Sequence, residues 1–347
     1  MTPSNMFFIM KSILFAISLC ILPGLLFAAI DADQLDFDDA PLTDNLSYPE
    51  WFKKSSGDLG DDLKDAIDAG KNGLIVYFGQ ARCSYCEQFI KNSLGNKDIE
   101  HYTRKNYDLI NINIWSNMDI VDTDGKEYTE RDLSLHYDTN FTPSLIFYDR
   151  KGKPVFRLRG YYPPYKFRAA LKYVAEGFYL KERFRDYLAR AEKGLFFLEK
   201  GLNEREFFLN PPYDLKALIN KNKLPLMVSF EQGNCHACDL LHSSPLNQPD
   251  TLAQLEKMNS VQLNMWSDTP VVTPDGYATT AKAWAKQLGL FHAPTLIFFD
   301  NNGKEIIRID SVVKFYRLLG VLKYINEGGY LTEKNYQSWQ LKQRKIN

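Results

Sequence analysis

The sequence is poor in cysteine and has no excess of charge of either sign. It has 5 cysteines in 347 residues, and its 42 lysines and arginines nearly balance 43 aspartates and glutamates. The charges are interspersed, so there is no basic stripe for nucleic acid and no polybasic patch for a membrane surface. A chain of this length can bury cores without disulfide staples. The few cysteines therefore point to chemistry rather than to a disulfide scaffold.

Four of the cysteines form two CxxC motifs. These are Cys83-Ser84-Tyr85-Cys86 and Cys235-His236-Ala237-Cys238. The 148 residues between the motifs compare with about 15–20 between the pairs of a zinc ribbon, which argues against zinc. A metal bound by His292 together with Cys235 and Cys238 is an alternative, although three ligands of unknown geometry do not establish it. We predict no metal and no cofactor beyond redox-active disulfides.

The N-terminal segment has the order of a secretory signal. Lys11 precedes an uncharged run over residues 12–30 that is rich in Leu, Ile, Phe and Ala, and Ala28 and Ala29 supply small residues near its end. A cation, an apolar stretch and a small-residue site predict a signal peptide over residues 1–29.

The same run is just long enough to span a membrane, so an uncleaved anchor is the alternative. Pro23 and Gly24 interrupt a helix ahead of the small residues and favour cleavage. The fifth cysteine, Cys20, would then be removed. Export predicts the periplasm, a compartment in which disulfides persist.

An internal repeat organises the rest of the chain. Cys83 corresponds to Cys235 at an offset of 152, and Pro143 to Pro294 at an offset of 151. The second offset also relates Trp115 to Trp266, Gly125 to Gly276, Gly152 to Gly303 and Leu171-Lys172-Tyr173 to Leu322-Lys323-Tyr324. A tandem duplication with two domains follows. The predicted divisions are 1–29 signal peptide, 30–57 N-terminal extension, 58–200 domain one with a helical extension, 201–213 linker and 214–347 domain two.

Each copy has the same pattern of elements. In domain one we predict strands at 74–78, 108–115, 145–148 and 155–158, and helices after the CxxC, at 130–137 and at 167–174. In domain two the strands fall at 226–230, 296–299 and 306–309. The short, almost wholly apolar runs are typical of strands buried on both faces. The predicted fold class is α/β, with two tandem domains that each have a mixed central sheet covered by helices on both faces.

The CxxC spacing gives the cysteines distinct roles. A cysteine at a helix start meets unpaired amides and the positive end of the helix dipole, which stabilise its thiolate. Two intervening residues let the second cysteine reach the first sulfur. We therefore predict Cys83 and Cys235 as nucleophiles that attack a substrate disulfide, and Cys86 and Cys238 as the cysteines that resolve the mixed disulfide.

A proline precedes a buried strand in both copies. Pro143 and Pro294 fit cis peptides, which are usually kept for a reason. Such a proline leaves the backbone of the preceding residue, Thr142 or Ala293, open to pair with an incoming peptide. These four residues are the predicted substrate-binding positions.

The CxxC at a strand–helix junction, with Thr142-Pro143 or Ala293-Pro294 before a hairpin, resembles the thioredoxin superfamily in both copies. The resemblance covers residues 58–178 and 212–330. Domain one is similar to exported bacterial thioredoxin-related proteins associated with sulfur oxidation, through Tyr-Phe-Gly-Gln-x-x-Cys-x-Tyr-Cys-Glu-Gln at 77–88 and an insertion ending in Asp124-Gly125-Lys126.

The resemblance implies a thiol–disulfide oxidoreductase that reduces a protein disulfide or a sulfur-carrying substrate, and the predicted signal peptide would place it in the periplasm. Its electrons would come from a membrane thiol–disulfide donor, and no nucleic acid would be involved. A disulfide oxidase or isomerase is one alternative. The other is a redox-inert or metal-carrying adaptor that uses thioredoxin folds to bind partners.

The chain departs from cytoplasmic thioredoxins, which have Gly-Pro between the cysteines and a buried carboxylate six residues before the first. Ser-Tyr and His-Ala stand between the cysteines here. Tyr77 stands at the carboxylate position of the first copy, and Ser229, or a neighbour if the second loop is shifted, stands at that of the second. We expect Tyr85 and His236 to tune the pKa of the neighbouring first cysteine. His242, like the other unassigned histidines, is expected to be solvated or to cap a helix.

The loop after the hairpin is aromatic in the first copy only. It contains Tyr161 and Tyr162, where the second copy has Val312 and Val313. We therefore predict that both tyrosines bind substrate, that domain one holds the groove for protein substrates and that domain two is its redox partner.

Overall fold

The computed structural model describes residues 35–191, 201–333 and 335–346. The predicted signal peptide at 1–29 lies outside the described residues, as does the end of the predicted helical extension at 192–200. Within the described residues, no helix is both long enough and apolar enough to cross a membrane.

Domain one begins with a capped helix and then alternates strands with helices. Its strands are β1 (Gly73–Gly79), β2 (Tyr107–Asn113), β3 (Asp119–Val121), β4 (Glu127–Thr129), β5 (Ser144–Tyr148) and β6 (Pro154–Arg159). Its helices are α1 (Leu59–Asp68), α2 (Ser84–Gln88, continued by a π-helical turn Phe89–Leu94), α3 (Lys97–Asn106), α4 (Glu130–His136), α5 (Pro164–Ala175) and α6 (Phe184–Ala191). Asp58 caps α1 by accepting from the amides of Gly60 and Asp61. The predicted elements are confirmed, with shifts of one to three residues at their ends; the largest is at α5, which begins three residues before the predicted start.

The central sheet explains why β1 is apolar throughout. The strand order is β2-β1-β5-β6, in which β1 pairs in parallel with β2 and antiparallel with β5. All seven residues of β1 are buried. Alternate side chains enter two separate cores: Ile75 and Tyr77 pack on the side of Cys86, whereas Val76 and Phe78 pack on the opposite face. A sheet covered on both faces needs such a strand at its centre.

Domain two repeats this architecture. Its strands are β7 (Tyr213–Asp214), β8 (Leu226–Glu231), β9 (Asn259–Asn264), β10 (Pro270–Val272), β11 (Ala278–Thr280), β12 (Thr295–Phe299) and β13 (Glu305–Ile309). Its helices are α7 (Leu215–Asn222), α8 (His236–Ser243), α9 (Pro249–Leu255), α10 (Ala281–Gln287), α11 (Phe315–Asn326), α12 (Gly329–Thr332) and α13 (Tyr336–Ile346). The main sheet has the order β13-β12-β8-β9. The fold-class prediction is thereby confirmed in both copies.

The segments that precede the two domains pack against them. In the N-terminal extension, Leu46 donates its amide to the carbonyl of Ala81 at 2.6 Å, and Lys53 forms a bridge to Ile110 of β2. In the linker, the amide of Leu209 donates to Ser260 of β9 at 2.9 Å. The segment predicted as a linker over 201–213 therefore contacts domain two at Leu209.

The two domains meet around a local two-fold relationship. The amide of Val312 donates to the carbonyl of Tyr161 at 2.9 Å, and these two residues correspond to each other at the repeat offset of 151. Gly160 and Ser311, the preceding pair, also face one another. Contact between a residue and its own counterpart is the signature of an interface built on a two-fold axis. The loops that follow the two hairpins therefore pack together at the axis.

The C-terminal helix α13 belongs to domain two but binds domain one. The side-chain amide of Gln337 donates to the carbonyl of Ile114 at 2.8 Å and to the hydroxyl of Ser134 at 2.9 Å. The amide of Tyr336 donates to the side chain of Asn140 at 3.1 Å. These bonds hold the helix across the mouth of the first CxxC site.

Candidate active site

Both CxxC motifs lie at the start of a helix, as predicted. Cys83 has extended backbone and caps α2, with its sulfur accepting from the amide of Cys86 at 3.0 Å. Cys235 caps α8 in the same way, with the amide of Cys238 at 3.1 Å. Each pair forms a disulfide. The first sulfur of each pair lies nearer the surface, since Cys83 and Cys235 are 4% and 8% exposed against 0% and 1% for their partners.

In domain one, a hydroxyl group lies against the nucleophilic sulfur. The Cys83 Sγ is 3.2 Å from Thr142 Oγ1, and the peptide between Thr142 and Pro143 is cis, as predicted. Gln80 Nε2 donates to the same hydroxyl at 3.0 Å, and Trp115 Nε1 donates to Gln80 Oε1 at 2.7 Å.

The donor in each of these bonds is fixed by chemistry. An indole nitrogen only donates, so the carbonyl oxygen of Gln80 faces Trp115 and its amide group faces Thr142. The hydroxyl oxygen of Thr142 accepts from that amide, which leaves the hydroxyl proton to point at Cys83. A donor aimed at this sulfur favours its thiolate form.

Domain two has only part of this arrangement. Trp266 Nε1 donates to Gln232 Oε1 at 2.8 Å, which repeats the first copy. The residue before the cis proline is Ala293, however, which has no hydroxyl to place against Cys235. The two redox sites therefore differ in the hydrogen bonding of their nucleophile.

The two residues expected to tune the cysteines occupy different surroundings. Tyr85 is buried, donates to Asp39 at 2.8 Å and accepts from the amide of Lys314 at 2.8 Å. Burial raises its pKa well above the usual value, so the phenol is neutral. His236 is exposed and lies near Asp36, whose pKa is lowered chiefly by Lys314 and further by His236. Their effect on the cysteines stays a prediction.

A cation from each domain reaches the proline loop of the other. Arg317 Nη2 donates to the carbonyl of Thr142 at 2.8 Å, and the guanidinium lies 3.3 Å from the ring centroid of Tyr85. Lys166 Nζ donates to the carbonyl of Phe291 and contacts His292 Nδ1, both at 3.0 Å. Burial lowers the pKa of His292 well below its usual value, and the charge of Lys166 lowers it further. The imidazole is therefore neutral and accepts from the ammonium group.

A cavity of about 470 Å³ opens beside Cys83 and is bordered by both domains. Domain one contributes Cys83, Tyr85 and Thr142, and domain two contributes Tyr316 and Arg317. Lys323 of α11, Glu327 directly after that helix, and Trp339, Gln340 and Gln343 of α13 also line the cavity. Access to Cys83 is therefore shaped by the second domain.

Tyr161 and Tyr162 lie in the domain interface. Both are buried, and the ring of Tyr162 stacks on Phe291 of domain two at 5.5 Å between centroids. Burial raises the pKa of Tyr162 well above its usual value. Their substrate-binding role stays a prediction, and it requires that this face be uncovered.

A buried carboxylate is present in domain two, at a position that the sequence did not reveal. Glu231 is fully buried four residues before Cys235, accepts from the hydroxyl of Ser229 at 2.7 Å and pairs with His242 Nε2 at 3.0 Å. The expectation that His242 is solvated is wrong, because its ring is buried against this carboxylate. In domain one the equivalent position is Gly79, where a Cβ would collide with the hydroxyl of Tyr48.

Other residues of the site could not be predicted from the sequence, because their partners lie far away along the chain. Arg317 and Lys166 belong to this group, and so does Gln80. The recurrence of tryptophan and glutamine in both copies was the one available signal for the Trp115–Gln80 pair. Among the described residues, no cluster of three or more side chains has the composition of a metal site.

Two strand–helix CxxC sites on mixed sheets, each beside a cis proline, define a thiol–disulfide oxidoreductase of thioredoxin fold. The model of the thioredoxin-like domain family matches residues 59–175 and again 212–326. The two matches together span more than half of the chain, and the protein therefore belongs to this family, with two copies of its domain. No curated protein matches the sequence significantly.

Several solved structures are similar in part. A thioredoxin-fold protein from Helicobacter pylori is 24% identical, with 41% of this chain and 88% of that one covered and a TM-score of 0.33. A thioredoxin from Thermus thermophilus is 20% identical over 36% of this chain and 87% of its own, with a TM-score of 0.29. The NTD_N/C domain of the alkylhydroperoxide reductase AhpF from Enterococcus faecalis is 13% identical, with 80% and 100% covered and a TM-score of 0.24.

Proposed function

We propose that this thiol–disulfide oxidoreductase works in the periplasm and reduces disulfides of protein or sulfur-carrying substrates. The proposal rests on the Cys83 site. The sulfur of Cys83 has hydrogen-bond donors beside it, and Cys83 is slightly exposed, whereas its disulfide partner Cys86 is fully buried. That arrangement separates an attacking sulfur from a resolving one.

The proposed reaction uses the dithiol form of each pair. The Cys83 thiolate attacks one sulfur of the substrate disulfide, forms a mixed disulfide and expels the other sulfur as a thiolate. The Cys86 thiolate then attacks Cys83, which forms the Cys83–Cys86 disulfide and releases the second substrate sulfur. Two electrons pass from the enzyme to the substrate, and the protons of the two enzyme thiols end on the two substrate thiols. A membrane dithiol donor would restore the reduced enzyme.

Export to the periplasm is supported by the charge and apolar pattern of residues 1–29, and a membrane-anchored form would follow if the signal is uncleaved. The direction of electron flow is supported by resemblance to exported thioredoxin-related proteins. One observation favours the alternative of disulfide oxidation or isomerisation. The Thr142 hydroxyl lies 3.2 Å from the Cys83 sulfur. A donor at that position would stabilise the thiolate of a reduced Cys83, and a stabilised reduced form makes a disulfide more oxidising.

The deciding experiment measures the reduction potential of each pair in the full chain, with the other pair changed to serine, by thiol trapping in dithiothreitol or glutathione buffers. Potentials near about −270 mV would support a reductase, whereas values near about −120 mV would indicate an oxidant or isomerase. In parallel, dithiothreitol-driven insulin reduction is compared between the wild type and a Cys83→Ser, Cys235→Ser double variant. Retention of full activity in the double variant would refute the dithiol mechanism and favour the adaptor alternative.

A further inference from the structure

We infer that Arg317 of domain two determines the substrate specificity of the Cys83 site, which accepts disulfides of low molecular mass and excludes extended polypeptide segments. This inference rests on the proposed function and narrows its substrates at the Cys83 site to disulfides of low molecular mass. It runs against the predicted groove for protein substrates in domain one.

Arg317 is held in place by several contacts at once. Its Nη2 donates to the carbonyl of Thr142 at 2.8 Å and its Nη1 to the carbonyl of Val312 at 3.3 Å. The guanidinium lies over the ring of Tyr85 at 3.3 Å and over that of Phe141 at 5.0 Å, measured to the ring centroids. Its own amide donates to Asp39 at 2.9 Å. A buried, stacked and hydrogen-bonded arginine is a fixed part of the wall.

The carbonyl of Thr142 belongs to the backbone that a substrate chain bound at Cys83 would lie against. The hydroxyl of the same residue is 3.2 Å from the Cys83 sulfur, so a disulfide that reaches Cys83 brings its flanking chain alongside Thr142. An extended chain binds such an edge through backbone hydrogen bonds, with its N–H groups donating to exposed carbonyls. Arg317 already supplies the donor to this carbonyl. A polypeptide N–H would therefore have to compete with a buried cation for this carbonyl, whereas a small disulfide needs no backbone partner.

The cavity beside Cys83 has the size and openings for such a ligand. Its volume is about 470 Å³, within the range of about 300–1,000 Å³ for small-molecule sites. Helix α13 closes one side, anchored by Gln337 on Ile114 at 2.8 Å. Because α13 lines the cavity beside Cys83, a globular substrate has to fit past this helix, whereas a compact disulfide needs only the cavity.

The test uses the full chain with Cys235→Ser and Cys238→Ser, so that only Cys83 and Cys86 react. Rates with dithiothreitol as reductant are measured for insulin and for 2-hydroxyethyl disulfide, before and after Arg317→Met. Methionine fills the space without donating. We expect kcat/KM for insulin to rise about two- to tenfold, the range that one hydrogen bond is worth, through a lower KM. The rate with the small disulfide should change less than about twofold, and Arg317→Lys, which keeps a donor, should stay near the parent.

Lys166→Met is the matched control, because it removes the counterpart cation from the same interface but leaves Thr142 covered. If Lys166→Met also raises insulin reduction, general loosening of the interface explains the effect and the inference fails. The inference also fails if Arg317→Met leaves the ratio of the insulin rate to the small-disulfide rate unchanged, or if it lowers both rates together. Should Arg317→Met not fold, Arg317→Leu, which also lacks a donor, takes its place with the same expected rise. A parent chain that reduces neither substrate would instead refute the proposed function.

Discussion

Lys166 and Arg317 are counterparts in the two copies, 151 residues apart, and each donates hydrogen bonds to the loop before the proline of the other copy. The duplication thus placed a cation in the first turn of both closing helices, α5 and α11, where a two-fold arrangement brings each one to the opposite redox site. The contacts are not identical. Arg317 binds Thr142, the residue directly before Pro143. Lys166 binds Phe291, which lies three positions before Pro294.

The Thr142 hydroxyl should raise the reduction potential of the first pair. Thr142→Val removes the donor to Cys83 and keeps the shape of the side chain, so the reduced form loses stabilisation. A hydrogen bond to a charged group such as the thiolate is worth about 1.5–3 kcal/mol, which corresponds to a potential lower by about 30–60 mV. Thiol trapping with Cys235→Ser and Cys238→Ser in place measures the shift. Ala293→Val, at the matched position of domain two, serves as the control and should leave the first pair unchanged.

Close packing at the two-fold axis should make Gly160 intolerant of a side chain. A Cβ there would lie 2.1 Å from Ser311 Oγ, whereas Gly177, also at positive φ, has nothing within 4 Å of such an atom. Gly160→Ala should therefore lower the free energy of unfolding by about 1–3 kcal/mol more than Gly177→Ala does. Urea titration measures both, and adding Ser311→Gly to Gly160→Ala should restore part of the loss. Equal losses for the two alanine variants would contradict this picture of the interface.

His292 should make the protein less stable in mild acid. Burial lowers its folded pKa well below 6.5, so below about pH 6.5 the unfolded chain binds a proton that the folded chain does not. Stability should therefore fall as the pH drops from 7 to 5, by at most about 1.4 kcal/mol per pH unit from this residue. Urea midpoints at both pH values should show a shallower fall for His292→Asn. His101→Asn, a change at an exposed histidine, should keep the fall of the wild type.

Tyr85 should contribute to the domain interface through its hydroxyl group. Tyr85→Phe leaves the amide of Lys314 without its acceptor at 2.8 Å and removes the donor to buried Asp39. An unsatisfied buried group costs about 1–3 kcal/mol, which we expect as the loss in the free energy of unfolding. Tyr102→Phe is the matched control, since that hydroxyl is 3.5 Å from Glu176 near the surface, and it should cost less than about 0.5 kcal/mol. The hydroxyl of Tyr85 would be structurally unimportant if both variants unfolded at the same urea concentration.

The sequence alone was sufficient to predict the duplicated fold and to identify the four cysteines of the two CxxC sites. The features that indicated the fold are local. Apolar strands such as β1 and β8, the CxxC motifs and the prolines each involve only a few neighbouring residues, so they can be recognised directly in the sequence. The helix starts at Cys83 and Cys235 and both cis prolines followed from such patterns.

Only the tertiary structure decided what surrounds those cysteines. Arg317 lies 175 residues from Thr142, and no local pattern indicates which backbone carbonyl a distant arginine will meet. The buried pair of Glu231 and His242 was hidden for a similar reason, because a charged residue at the end of an apolar strand is buried or solvated according to what packs over it. Tyr161 and Tyr162 were expected at a substrate groove, yet the packing of one domain on the other buries them. Side-chain environment depends on contacts between distant segments, and in this protein those contacts were set by how two copies of one domain fit together.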